Sequence, residues 1–242
     1  MGSSGRKRLF DCALVALAAP AWLPVLGLCA LLILLLEGRP VFYVSGRQIG
    51  PGRVHPIMKF RTMVRNADKL LNRDTVPVVG TAFLNIPREA AVYTPIGRLI
   101  ERLALTELPQ LLHVVSGTMS IVGSRPLPTR VMEVLSQEHP EAEERFLTKA
   151  GLTGPVQLVG RDLISDDDRL SLEIEYCRIA SSPDYRMRLD LWLLAYTVYA
   201  VLVPGKLLSV LQVRRRMYGL VSRPAPAQDG GVLQRKDCSK SR

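Results

Sequence analysis

Residues 105–128 read LTELPQLLHVVSGTMSIVGSRPLP and hold the side chains best suited to chemistry. Glu107 is a carboxylate at a helix start, and Arg125 is a guanidinium fixed by a Gly-Ser-Arg-Pro turn. Thr106 reads as the N-cap, its hydroxyl accepting from a backbone N–H of the first turn, with Glu107 and Pro109 where a first turn tolerates them. The positive end of a helix favours a carboxylate, and it equally favours a phosphate or a metal–phosphate complex. Convergence of that helix start, Glu107 and Arg125 suits a phosphorylated, metal-bound substrate. A capped helix followed by a β-turn, with no ligand, is the competing account.

Several elements must position these groups. Leu108, Leu111, Leu112 and Val115 fall on one helical face, Ser116-Gly117 breaks the helix, and the apolar run 119–122 leads to the Arg125 turn. Upstream, Thr94-Pro95 opens a helix whose stripe is Ile96, Leu99, Ile100 and Leu103. Residues 41–44 and 55–63 read as paired strands around a loop marked by Gly46, Gly50, Pro51 and Gly52. Alternation puts Lys59 and Arg61 on one face. A helix runs to about residue 72, followed by a loop with Pro77, Gly80 and Pro87. Downstream, 129–149 reads as one amphipathic helix with an acidic outer face, and 151–155 as a turn into a short strand. Ser165-x-x-Asp168 is a capping box for a helix through about Ile179, and 191–203 is a core or interfacial helix. Composition from about residue 222 suggests a disordered tail.

The chain has 242 residues and a net charge of +10, from 32 Lys+Arg against 22 Asp+Glu. Such a balance asks for an anionic partner: nucleic acid, an acidic membrane surface or a phosphorylated substrate. Nucleic acid is excluded, because no aromatic residues interleave with the basic ones and no reader motif is present. Cys12, Cys29, Cys177 and Cys238 have neither zinc-ligand nor disulfide-framework spacing, which fits a reducing, cytosol-facing location. Residues 13–36 carry no charge, long enough for a membrane span, but Pro20 and Pro24 interrupt them. Basic residues flank both ends, so charge selects no orientation. A signal peptide fits poorly because the apolar run continues past any cleavage point. The residues leave a spanning and a re-entrant helix equally open.

TELPQLLHVVSGTMSIVGSRP resembles the signature of the bacterial sugar transferases, small monotopic phosphoglycosyl transferases acting on polyprenol phosphate. The usual pattern is Asp-Glu-Leu-Pro-Gln, an Asn-Val pair, Gly-x-Met-Ser and Val-Gly-Pro-Arg-Pro. Lys59–Met63 matches a second motif, Lys-Phe-Arg-Thr-Met, and Lys7, Arg8, Phe10, Asp11 and Pro24 match the family's basic start and Pro-broken re-entrant helix. The likeness covers about residues 7–199. It implies transfer of a phospho-sugar from a nucleotide diphosphate sugar, with uridine the family expectation, to polyprenol phosphate, with Mg²⁺ as cofactor. It assigns Glu107 to the metal, and Lys59, Arg61, Gln110 and Arg125 to substrate. It also assigns Lys7, Arg8 and Pro24 to the membrane.

The departures bear on the chemistry. Thr106 stands where the family has its nucleophilic Asp, Glu101 where many members have Arg, His113 for Asn, Leu23 for a Ser before the proline, and Ala150 for Pro. Asp and Thr both cap a helix, but a Thr hydroxyl needs a base to become a nucleophile. His113, in the substrate-facing stretch, is the candidate base. Three accounts follow: direct attack by the lipid phosphate, with Glu107–Mg²⁺, Lys59, Arg61 and Arg125 stabilising charge; attack by Glu107 or Thr106; or a non-catalytic relative that binds lipid phosphate or nucleotide sugar as a regulator or scaffold. Direct transfer is favoured.

The expectation is therefore an α+β protein, mostly helical with a small β-hairpin and an N-terminal Pro-broken re-entrant membrane helix. Residues 1–38 form that helix, 39–221 a cytosolic catalytic domain with interfacial helices, and 222–242 a tail. It would work at the cytosolic face of the inner membrane, starting a glycan or exopolysaccharide; homo-oligomerisation stays open.

Overall fold

The computed structural model describes residues 3–71, 81, 86–87, 90–160, 163–203 and 205–221. The expected loop residues Pro77 and Gly80, Cys238 and the tail from residue 222 lie outside the described residues.

Helix α1, Ser3–Leu36, is long and apolar enough to cross a membrane. It continues through Pro20 and Pro24 as one helix, although each proline removes a hydrogen-bond donor. The Trp22 indole donates to the Val15 carbonyl at 3.0 Å, next to the carbonyl that Pro20 leaves without its usual donor. One stripe of α1, including Val15, Trp22, Cys29 and Ile33, is buried against the rest of the chain. Leu17, Leu23, Leu28, Leu31, Leu35 and Leu36 face outward, Leu17 being 80 % exposed.

Both ends of α1 are tied to the same body. Near its start, Lys7 pairs with Asp190, Arg8 donates to the Val114 and Val115 carbonyls, and Asp11 accepts from the Ser120 hydroxyl at 2.7 Å. At its exit, Arg61 donates to the carbonyls of Glu37, Gly38 and Pro40 at 3.2, 2.8 and 2.6 Å. The last carbonyls of a helix have no internal donor, and a guanidinium supplies several at once. Lys7 and Arg8, read as membrane-flanking charges, are thus docking groups whose ammonium and guanidinium bind protein.

A hairpin follows, β1 Phe42–Gly50 and β2 Arg53–Phe60, antiparallel and turning at Pro51-Gly52. It is longer than the sequence pattern suggests: Gly46 lies inside β1 rather than in the loop, because its exposed face tolerates a missing side chain. Helix α2 is the single turn Ala67–Leu70, ending just short of the expected residue 72. Helix α3, Pro95–Arg102, begins as its sequence demands, with the Thr94 hydroxyl accepting from Gly97 N–H at 3.0 Å. Of its stripe, Ile100 is buried against Ile33 and Phe60, while Leu99 and Leu103 are exposed.

A 3₁₀ turn, Leu108–Gln110, runs into α4, Leu111–Ser116. The buried face is Leu108, Leu111 and Val114, whereas Leu112 and Val115 are exposed, because the tighter 3₁₀ start rotates the following turn. Strand β3, Ser120–Val122, pairs in parallel with β4, Gly151–Thr153. Between them, residues 129–149 form two elements, α5 Thr129–Glu138 and a 3₁₀ segment Pro140–Leu147. Pro140 holds His139 extended and so ends the first helix. The expected turn at residues 151–155 is β4 itself, and α6, Pro155–Val159, follows it.

Helix α7, Asp166–Ser181, starts at Ser165, whose hydroxyl accepts from Asp168 N–H at 3.1 Å. Helix α8, Met187–Leu202, begins earlier than its apolar core, and α9, Val210–Gly219, has a complete Ser209/Gln212 capping box. The main core gathers β3, α6, α7, α8 and α9 against the first half of α1. The architecture is α+β and mostly helical, with a two-stranded antiparallel hairpin.

Candidate active site

The site lies between one face of the β1–β2 hairpin and the segment that carries Glu107. Along β1 the residues Tyr43, Ser45 and Arg47 share a face, and their cross-strand partners are Lys59, Ile57 and His55. Ser45, Arg47, Ile57 and Lys59 from this face, with Glu107, Gln110, Arg125 and Pro126 opposite, line a narrow recess. The Gln48 amide donates to the Leu127 carbonyl at 2.8 Å and ties the hairpin to the far wall.

Arg125 is positioned by close backbone packing. A Cβ at Gly123 would fall 2.3 Å from the Lys149 carbonyl, and one at Gly151 would fall 2.1 Å from the Gly123 nitrogen. Only glycine permits these two strands to approach so closely. Beyond them, the buried Arg145 donates to Glu173 and to the Arg125 carbonyl at 2.6 Å, while Glu173 accepts the Arg125 amide at 3.0 Å. With its backbone clamped, Arg125 makes a two-bond pair with Glu107, one of them at 3.0 Å. The Glu107 carboxylate beside it holds the Arg125 guanidinium above its ordinary range, overcoming burial.

Three cations line the recess, Arg47, Lys59 and Arg125, against one carboxylate, Glu107. Burial pushes the Lys59 ammonium down, and Arg47 and Arg125 push it further, with Glu107 opposing. Burial likewise lowers Arg47, aided by Arg125. The Lys59 ammonium sits 5.3 Å from the Tyr43 ring centre and has no hydrogen bond among the described residues. Such a site attracts a multiply charged anion.

Of the sequence-predicted residues, Glu107, Gln110, Lys59 and Arg125 meet here. Arg61 does not. Strand β2 ends at Phe60, and the guanidinium turns to the carbonyls at the α1 exit, so Lys59 and Arg61 part. His113 lies behind the hairpin: its Nε2 accepts from Met58 N–H at 3.2 Å, and burial beside His55 lowers its pKa. A nitrogen already filled by a backbone donor is poorly suited to take a proton from Thr106. Thr106 is not the N-cap either. Its carbonyl accepts from Phe60 N–H at 3.0 Å, the turn starts one residue later at Glu107, and its hydroxyl is buried with no partner among the described residues. Pro24 lies within α1, away from the recess.

Sequence reasoning missed Arg47, Ser45, Arg145 and Glu173. For Arg47 and Ser45 the signal existed, since they share a strand face with the cross-strand partner of Lys59; for Arg145 and Glu173 nothing local marked it. Among the described residues no three His, Cys, Asp or Glu side chains cluster to make a protein-only metal site. A Mg²⁺ held here would share Glu107 with Arg125, whose guanidinium bonds both carboxylate oxygens, and would take its remaining ligands from substrate phosphates and water.

The family described as bacterial sugar transferase matches residues 3–204. The sugar transferase EpsL of Bacillus subtilis is 32% identical over 197 residues, covering 81% of this chain and 87% of that protein. Exopolysaccharide production protein ExoY of Sinorhizobium fredii is 31% identical over 201 residues, covering 81% and 84%. UDP-glucose:undecaprenyl-phosphate glucose-1-phosphate transferase of Caulobacter vibrioides is 33% identical over 187 residues, covering 77% of this chain but 64% of its own. With the match spanning most of the chain and the motifs meeting in one recess, this protein belongs to the bacterial sugar transferase family.

Proposed function

We propose that the protein transfers a phospho-sugar from a nucleotide diphosphate sugar, with UDP-sugar the expected donor, to polyprenol phosphate, initiating a membrane glycan or exopolysaccharide. The observation that carries this is the recess with three cations around one carboxylate, which suits a diphosphate and a phosphate brought together. The activity for which the Caulobacter relative is named supports the same reaction class.

Direct transfer fits these side chains best. An oxygen of the lipid phosphate attacks the sugar-bearing phosphorus, the bridging P–O bond to the nucleoside phosphate breaks, and nucleoside monophosphate leaves with the electron pair. Lys59 and Arg125 stabilise the charge on the phosphoryl oxygens, and Gln110 offers an amide donor. Glu107 would hold Mg²⁺, which supplies Lewis-acid charge neutralisation when bound. Thr106 takes no part as nucleophile in this account, since its buried hydroxyl has no base against it.

The same feature favours the second reading, a relative that binds lipid phosphate or nucleotide sugar without turning it over. Radiolabelled transfer from a panel of UDP-sugars into polyprenol phosphate, with Mg²⁺ and detergent, separates the two. Product without a phospho-sugar adduct on the protein is expected. An adduct would restore a covalent route, and no product with any donor would leave the binder.

The working location is the cytosolic face of the inner membrane. Both ends of α1 return to one body and its leucine face points outward, which supports a helix held on one side of the bilayer, entering and leaving at the same face. A labelling experiment on single cysteines near residues 5 and 38 would find both accessible from the cytosol; opposite accessibility would mean a span.

A further inference from the structure

Among the cations of the recess, Arg47 has the least explanation in the fold itself. Its side chain makes one hydrogen bond, from Nε to the Ser45 hydroxyl at 3.1 Å, and its terminal nitrogens have no partner among the described residues. Glu107, the one carboxylate among the described lining residues, is already held by both terminal nitrogens of Arg125. A half-buried guanidinium repelled by Arg125, with Glu107 acting on it only through space while bonded to Arg125, costs the free protein stability. Two more deeply buried arginines have their charge answered within the chain: Arg145 by Glu173, and Arg61 by Glu37 and the helix-end carbonyls.

Arg47 and Lys59 stand on the same face of neighbouring strands, while Arg125 and Glu107 form the opposite wall. Two cations on one wall, facing a third that is held by Glu107 on the other, suit two linked phosphoryl groups better than one. We infer that Arg47, oriented by Ser45 and paired with Lys59, is a substrate-binding residue that grips the second phosphoryl group and so makes the site select a diphosphate over a monophosphate. The inference rests on the donor class proposed above and adds to it a residue and a basis for selectivity.

The test uses the full chain in detergent with inorganic pyrophosphate and orthophosphate as probes, each with Mg²⁺, and compares wild type with Arg47→Gln and Ser45→Ala. Wild type should bind pyrophosphate more tightly than orthophosphate. Arg47→Gln should weaken pyrophosphate by about 10- to 100-fold, the size of one charge-assisted pair, with little change for orthophosphate. Ser45→Ala should give a smaller loss in the same direction. Because the terminal nitrogens have no partner among the described residues and burial outweighs Glu107, Arg47→Gln should melt no lower than wild type without ligand; a merely structural arginine would lower the melting point. Unchanged pyrophosphate affinity, equal losses for both probes, or a lower unliganded melting point would overturn the assignment. Failure of the donor reading looks different: wild type would still prefer pyrophosphate but transfer no sugar. If transfer occurs and Arg47→Gln leaves the KM for the donor unchanged, the donor reading stands and this inference falls.

Discussion

Buried charge is handled in opposite ways at two places in this molecule. Where α1 meets α8, Asp190 is 1% exposed and accepts from Lys7, from Tyr176 at 2.9 Å and from Tyr185 at 2.7 Å. Both phenols are held well above their ordinary range, first by burial and then by that carboxylate. Every charge there is answered from within the chain. In the recess, three cations share one carboxylate among the described residues, and two of them have no anionic hydrogen-bond partner there. The first arrangement holds an element in place; the second leaves its charge for a ligand.

The largest effect should come from unbalancing the closed network. Asp190→Asn leaves the Lys7 ammonium without its counter-charge and should cost about 3–5 kcal/mol, read as an earlier unfolding transition in detergent. A transition within 1 kcal/mol of wild type, as converted by the denaturant slope, would dissolve the contrast. Glu107→Gln breaks a pair that is nearly a third exposed, so it should cost less stability than Asp190→Asn, but kcat should fall by at least about 100-fold. Retained turnover would mean that the chemistry happens elsewhere.

Lys59 sharpens the comparison through pH. Its folded pKa is lowered from 10.5, chiefly by burial, so the ammonium loses its proton earlier than a free lysine as pH rises. Binding of an anionic donor should then weaken by roughly tenfold on the alkaline side, seen in kcat/KM at lower pH than in kcat, since bound anion favours the charged form. Lys59→Met should abolish this limb, at a uniformly higher KM. Stability has the opposite sign: the charged form is disfavoured in the fold, so the penalty is present below the folded pKa and fades as pH climbs toward 10.5. The smallest effect is at Thr106. Thr106→Val removes a buried, unpartnered hydroxyl at constant shape and should stabilise by about 1 kcal/mol with transfer unchanged. Lost transfer would point back to Thr106 as nucleophile.

Much of this was legible in the sequence where the signal is local. The Thr94 and Ser165 caps, the hairpin, the long apolar helix and the meeting of Glu107 with Arg125 all follow from caps, alternation and motif spacing. What failed were claims about partners. Arg61 was one alternation away from Lys59, but strand β2 stops between them and the unmet carbonyls of α1 capture the guanidinium. Thr106 has an N-cap's chemistry, yet its backbone is taken by Phe60, and the turn begins a residue later. Arg145 and Glu173, which hold Arg125, sit 28 residues apart in unrelated elements, and no local pattern could join them.

The docking of α1 also sets an order of events during synthesis. Lys7 and Asp190 are 183 residues apart, so α1 finds this partner only when α8 has been made. At common translation rates that is a wait of roughly 10–40 s. Through that interval the apolar helix must be kept by lipid or a chaperone, and the recess between hairpin and Arg125 can acquire its final shape only afterwards. Docking of α1 is thus a late step in assembly, and a chain truncated before α8 would lack the partner of Lys7.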